Sequence, residues 1–423
     1  MRMRAWVVGM ALTLAVSLSV AQPLALDAPD VQRVSSVQLY RGSNVQVYPI
    51  AYLGEPADLT VEFDVLGSTT PEDLSYRLVH CDADWQPSRL APIEYVDGFA
   101  YDRIQQTQPS RITRVPYVHY RASIPSQGSQ FKVSGNYQLQ VHLSSDEAAV
   151  LFTRRFVVAE RAVNVRAQLT ESNDVDQRRR LQQLTFEISP GGLPLLDPSR
   201  ELKVTALQNF QWGSAHHFDR PTYQYPDRLE YSFTPANDFV GGNEFRTLDL
   251  RSLRRPGVGV AELLGCLDTC EVRLEPERPR ADLGYFSQSD FNGGFVTGVG
   301  QIDAGTGVEG DYVLARVELR SPRVERGEVY LVGAMSGWRL LPRFKLGFDE
   351  ADEAYRGTIL LKQGVYNYLF AVGHSGDEQP DLTSLEGSHR ETENDYALIV
   401  YYRRMGDRYD RAVGVLQLNS YQR

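Results

Sequence analysis

Cysteine and lysine are nearly absent from this chain. In 423 residues there are three cysteines, Cys81, Cys266 and Cys270, and four lysines, Lys132, Lys203, Lys345 and Lys362. Three cysteines are too few for a disulfide scaffold or a cysteine-built zinc site. With so little lysine, arginine carries the positive charge, and its planar fork favours fixed hydrogen-bonded contacts. The net charge of −10 argues against nucleic acid or anionic lipid as a partner. There is no Gly-x-Ser-x-Gly, no His-Glu-x-x-His and no Walker-type glycine loop. The histidines are scattered; His216 and His217 are adjacent, so on a strand they point to opposite faces. Glu386, Glu391, Glu393 and Asp395 are the densest carboxylates but lack the spacing of a calcium loop. No catalytic residue, cofactor or metal ligand is assigned, and the chain reads as a non-enzyme. Low-complexity linkers are absent as well, which predicts modules packed on one another.

Long apolar runs are missing after Val20, so no later segment reads as a membrane-spanning helix. Before it, Arg2 and Arg4 precede the apolar run Ala5 to Val20, and Ser19-Val20-Ala21 supplies small residues for cleavage. Residues 1–21 read as a signal peptide cut after Ala21, leaving an exported, soluble protein. Gln22 rather than a cysteine would then come first, which excludes lipid attachment there. In an oxidising compartment Cys266 and Cys270, which bracket a three-residue loop, are expected to form a disulfide, with Cys81 buried and reduced.

What the chain has in abundance is period-two alternation. Leu59, Val61, Phe63 and Val65 alternate with polar residues, as do Tyr137, Leu139, Val141 and Leu143. Val163 to Leu169, Leu184 to Ile188, Val313 to Leu319, Tyr366 to Phe370 and Tyr396 to Val400 repeat the pattern. Alternation with aromatic and β-branched residues means strands. Gly364 with Tyr366, and Gly135 with Tyr137, give the Gly-x-Tyr corner found where a chain enters a late strand of an immunoglobulin-like sandwich. The predicted fold is all-β, in tandem sandwich modules: 31–160, a middle module 161–310, and 311–423. The one helix candidate is Asp176 to Leu184.

In the last module, Val329-Tyr-Leu-Val-Gly-Ala-Met-Ser-Gly-Trp338 followed by Gly364-Val-Tyr-Asn-Tyr resembles the glycogen-binding type of early-set sandwich. That resemblance implies a sugar-stacking Trp338 and, as an alternative function, a periplasmic carbohydrate-binding protein. A second tryptophan is lacking after Leu340, and Leu369 stands where that family has lysine. A structural Trp338 closing the sandwich end is the competing assignment.

A second resemblance runs from about Val31 to the C-terminus. His80-Cys-Asp-Ala-Asp-Trp-Gln-Pro-Ser, Tyr95-Val-Asp-Gly-Phe99, Gly242-Asn-Glu-Phe-Arg246, Lys362-Gln-Gly-Val-Tyr-Asn-Tyr and Glu391-Thr-Glu-Asn-Asp-Tyr396 resemble, in order, the type IX secretion system plug protein family. The resemblance implies a periplasmic, wholly β protein without catalytic residues. It implies binding to a very large outer-membrane β-barrel translocon, whose periplasmic opening the protein closes. Candidate contacts are the loop residues Trp85, Tyr95 and Phe99 and the charged bend at Glu244 and Arg246.

Overall fold

The computed structural model describes residues 31–300, 308–375, 377 and 379–421. The expected signal peptide, 1–21 with cleavage after Ala21, lies outside the described residues. The protein is all-β, and its sheets divide into three units.

The first unit is a sandwich. One sheet orders the strands Val34–Arg41, Leu59–Leu66, Tyr117–Ile124 and Gln106–Pro109. The other orders Ile50–Tyr52, Asp146–Ala159, Gly135–Leu143, Leu74–Cys81 and Tyr101–Arg103. The inward residues are those that the alternation predicts: Leu59, Val61, Phe63 and Val65 meet Tyr137, Leu139 and Val141 in one core with Phe152 and Phe156. Their burial is the main driving force for this unit.

The second and third units depart from the expected consecutive modules. Asp395–Tyr402 pairs with Leu202–Gln208 along seven residue pairs, and Arg411–Asn419 adds beside it. The last two strands therefore complete the second sandwich, facing the sheet built on Asn164–Glu171 and Leu181–Ser189. The third unit lies between these two parts of the second. Its nine-stranded sheet runs from Arg246–Asp249 through Gly364–Gly373 to Tyr312–Arg320, Cys270–Leu274 and the edge strand Val260–Cys266. The expected boundaries at 310 and 311 cut this sheet, since Cys270–Leu274 pairs in parallel with Tyr312–Arg320. Alternation identifies strands but not their partners, which are non-local.

The helix candidate is a further correction. Residues 175–180 are turns, and Leu181 opens the strand Leu181–Ser189, whose Leu184, Phe186 and Ile188 belong to the core. No described helix is long and apolar enough to cross a membrane.

Candidate functional site

Side chains from different units meet at several buried junctions. Between the first and third units stands a buried ion pair. Lys362 Nζ lies 2.7 Å from Asp64 Oδ2, which also accepts Tyr312 Oη at 2.8 Å, while His119 Nδ1 lies 2.8 Å from Oδ1. Burial alone would raise the Asp64 carboxyl; Lys362 and His119 overcome it and hold it below the usual carboxylate range. Asp311 ties the same junction, accepting the backbone N–H of Arg114 at 2.7 Å and Val115 at 3.1 Å.

Between the first and second units lies the loop that follows Leu74–Cys81. Trp85 is 7% exposed and sits edge-on to Trp212, at 4.6 Å between ring centroids, beneath the Arg155 guanidinium. Asp82 accepts the Asp410 N–H at 3.1 Å and Arg403 at 3.2 Å, and Tyr401 donates to Asn136 at 2.7 Å. His80 is enclosed by Tyr95, Tyr137 and Tyr409, and burial pushes its pKa down to about 4. Gly135, at φ +144°, lets the chain pass His80: a Cβ there would meet Nε2 at 2.4 Å. Cys81 is buried and unpaired, its thiol pushed up to about 12 by burial and by Asp82.

The charged bend is interior too. Glu244 is 1% and Arg246 6% exposed. Arg246 grips Glu386 with two hydrogen bonds of 3.0 Å and also pairs with Glu277; Arg280 adds a bond of 2.7 Å to Glu386. Burial would raise Glu386, but Arg246 and Arg280 hold it low. Glu244 instead accepts Tyr285 Oη and the Glu393 N–H, and burial raises its carboxyl.

Four of the five candidate contact residues are thus packed within the molecule. Trp85 packs on Trp212 of the second unit, Glu244 accepts the Glu393 N–H from the approach to the second unit's strand Asp395–Tyr402, and Arg246 holds Glu386 within the third unit. Tyr95 is 5% exposed and donates to Leu78 O at 2.9 Å. Phe99 alone of the five is exposed, at 70%, its N–H held by Ser129 Oγ at 2.9 Å and the exposed Ile93 and Tyr101 in the same loop region. Aromatic residues without strand period looked like surface anchors. Trp85 instead fills a gap between sandwiches and Tyr95 packs in the core of the first, roles that leave the same mark in a sequence.

Cys266 and Cys270 are cross-strand partners, Cα atoms 3.9 Å apart, joined in a disulfide at the hairpin tip. The exposed Leu267 stands on that tip, where Arg114 reaches its carbonyl; exposed Ile112 lies two residues before Arg114.

All three units contribute to one cavity of about 510 Å³. Trp338 lines it, half-buried, with its ring edge-on to Phe245 and over Gly293, where a Cβ would strike the indole at 2.1 Å. Across from it Tyr48 and Phe210 stack at 4.6 Å, with Trp212 beside them. Asp290, Glu393 and Asp395 also line this space. Burial raises Asp290 to about 7, and Glu244 and Glu393 push the same way. In the sequence no motif marks Asp290 or Asn292 as part of a site, and Glu393 and Asp395 stand out only within a dense acidic run. The described residues hold no group of three or more His, Cys, Asp or Glu side chains placed to bind a metal.

The chain is similar to a known family and to solved structures. The family described as type 9 secretion system plug protein, first domain, matches residues 34–160. A crystal structure of a hypothetical protein from Parabacteroides merdae is similar with a TM-score of 0.87 and 30% identity, covering 93% of this chain and 98% of that one. No curated protein matches the chain.

Proposed function

The chain belongs to the type 9 secretion system plug protein family, and from this premise we propose that it is the non-enzymatic periplasmic stopper of that system's outer-membrane translocon barrel. Its role lies in type IX secretion. Closing a barrel wide enough for folded cargo needs a block that is rigid, broad and removable.

The observation that carries the reading is the way the units lock together. The second unit is completed by strands that follow the third, and the first is fastened to the third through the buried Asp64–Lys362 pair. Hinge motion would require uncovering those charges, so the three sandwiches act as one body. Such a body meets a barrel rim through a few exposed apolar side chains within a polar surround, which keeps the contact reversible. Phe99 with Ile93 provides one set. Leu267 and Ile112 provide another, at the opposite end of the first sandwich: Ser129 follows Ile124 and Ile112 precedes Tyr117 on the strand Tyr117–Ile124.

Two experiments test this. Tagged protein purified from detergent-solubilised outer membranes should bring down one very large β-barrel. Deleting the gene should make the outer membrane permeable to large hydrophilic antibiotics while secretion persists in part. Unchanged permeability in a strain whose barrel is assembled and otherwise unblocked would falsify barrel closure.

A further inference from the structure

The sheet of the second unit that holds Asn164–Glu171 and Leu181–Ser189 continues through Leu229–Tyr231 to Tyr223–Gln224. Its inner face sends Leu184, Phe186, Ile188, Leu229 and Tyr231 into the core. Register sets what stands on the other face. Arg166 is opposite Glu187, Glu187 opposite Glu230, and Glu230 opposite Tyr223, so one row crosses four strands. Three strand spacings make that row about 14 Å long. Gln168 and Thr185 form the next row, and with Ser232 and Phe233 they border an open groove of about 430 Å³.

Two features of this face do not serve the fold. Phe233 is 60% exposed although its backbone is left-handed, φ +59°, a conformation that a bulky side chain rarely takes. Strain and an open ring both lower stability, and such positions cluster where function holds them. Independently, the rings of Tyr223 and Tyr225 are exposed at the sheet's end. Polar groups between the rings are held in place. The Arg228 guanidinium lies 4.1 Å from the centre of the Tyr225 ring and 3.6 Å from Glu187, which Arg166 approaches at 3.7 Å. Ser232 Oγ donates to Glu230 at 2.9 Å.

The lining defines the ligand's chemistry. Arg166 and Arg228 balance Glu187 and Glu230, so the face favours no net charge. Its rings offer apolar faces, and its amide, hydroxyl, carboxylate and guanidinium groups offer donors and acceptors. A sugar chain is built in the same way, with C–H faces and hydroxyl edges. A peptide strand would add to a free sheet edge rather than lie across four paired strands. We propose that this outer face binds a neutral oligosaccharide chain laid across the strands, with Tyr223 and Phe233 carrying sugar rings and Gln168 and Glu230 taking hydroxyls. The site belongs to the second unit, away from Trp338, and does not depend on barrel closure.

Calorimetry on the full chain tests it. The neutral probes are cellotetraose, maltotetraose and chitotetraose; the controls are tetraethylene glycol, which lacks ring faces, and the acidic tetragalacturonate. Saturable binding of at least one neutral chain with weaker or silent controls is expected. Tyr223→Ala and Phe233→Gly should each weaken it about tenfold or more, while Tyr223→Phe, which keeps the ring, should retain it. Phe233→Gly also separates binding from folding: glycine accepts this backbone freely, so the variant should resist denaturant at least as well as wild type while losing the ligand. Tighter binding of chitotetraose assigns the face to acetamido sugars; tighter binding of the other two assigns it to plain hexose chains. Absence of saturable binding by every neutral chain overturns the proposal. So does preference for a control, full affinity in both folded ring variants, or binding lost in Trp338→Ala but kept in Tyr223→Ala and Phe233→Gly.

Discussion

Two sets of buried carboxylates in this protein differ in one respect. At the junction of the first and third units Asp64 has Lys362, and Glu386 in the third unit has Arg246 and Arg280; these carboxyls are held low. Asp290 at the cavity wall and the buried Glu244 accept hydrogen bonds from backbone N–H groups and a phenol, and theirs are raised. Burial acts alike on both sets, so a cation from within the chain makes the difference. Of the paired acids, Asp64 with Lys362 fixes the first and third units together.

The strongest way to break the contrast is to make the first cluster resemble the second. Lys362→Met strands the Asp64 charge and should cost about 3–5 kcal/mol in denaturant unfolding, with the Asp64→Asn/Lys362→Met double variant recovering much of it. A single variant at wild-type stability would show that the pair does not fasten the units. Trp338→Ala comes next, at the second cluster. Its half-buried ring should cost less than the about 3–5 kcal/mol of a fully enclosed indole, and a loss above that range would place the ring in the core.

Titration sharpens the comparison further. Asp290 binds its proton more tightly in the folded protein than in the unfolded chain, so stability from this group is present below about pH 4 and lost as pH rises towards about 7. His80, pushed down to about 4, works in the opposite sense: its contribution is present above pH 6.5 and lost as pH falls towards 4. The two oppose each other between these limits. The signature of Asp290 is therefore the difference between wild type and Asp290→Asn, falling by at most about 1.4 kcal/mol per pH unit as pH rises, and a flat difference would refute the assignment. The smallest effect belongs to the hairpin. Reducing Cys266–Cys270 should cost about 2 kcal/mol or less, because the closed loop is short. Mass mapping of the non-reduced protein that finds both thiols free would remove the bridge altogether.

The all-β class and most core positions could be read directly. Leu59, Val61, Phe63 and Val65 face inward because alternation is a property of a single strand, set by the pleat. The plug resemblance was legible too, and residues 34–160 match that family. The contact residues were not. Trp85 and Arg246 carry no mark in the sequence that separates an anchor for a partner from an internal brace, because both uses demand a large side chain with a fixed partner.

The sequence by itself therefore determined which segments are strands and which face of each is apolar. Only the tertiary structure decided what covers the other face. Asp64 and Asn136 lie on the polar side of their strands, yet both are fully buried, one against Lys362 and the other against Tyr401 of a different unit. It also decided that Asp395–Tyr402 returns to Leu202–Gln208 across nearly two hundred residues. Local pattern fixes backbone conformation and one buried face. Partner choice depends on contacts distant in sequence, where shape and charge must match across surfaces that no single segment contains.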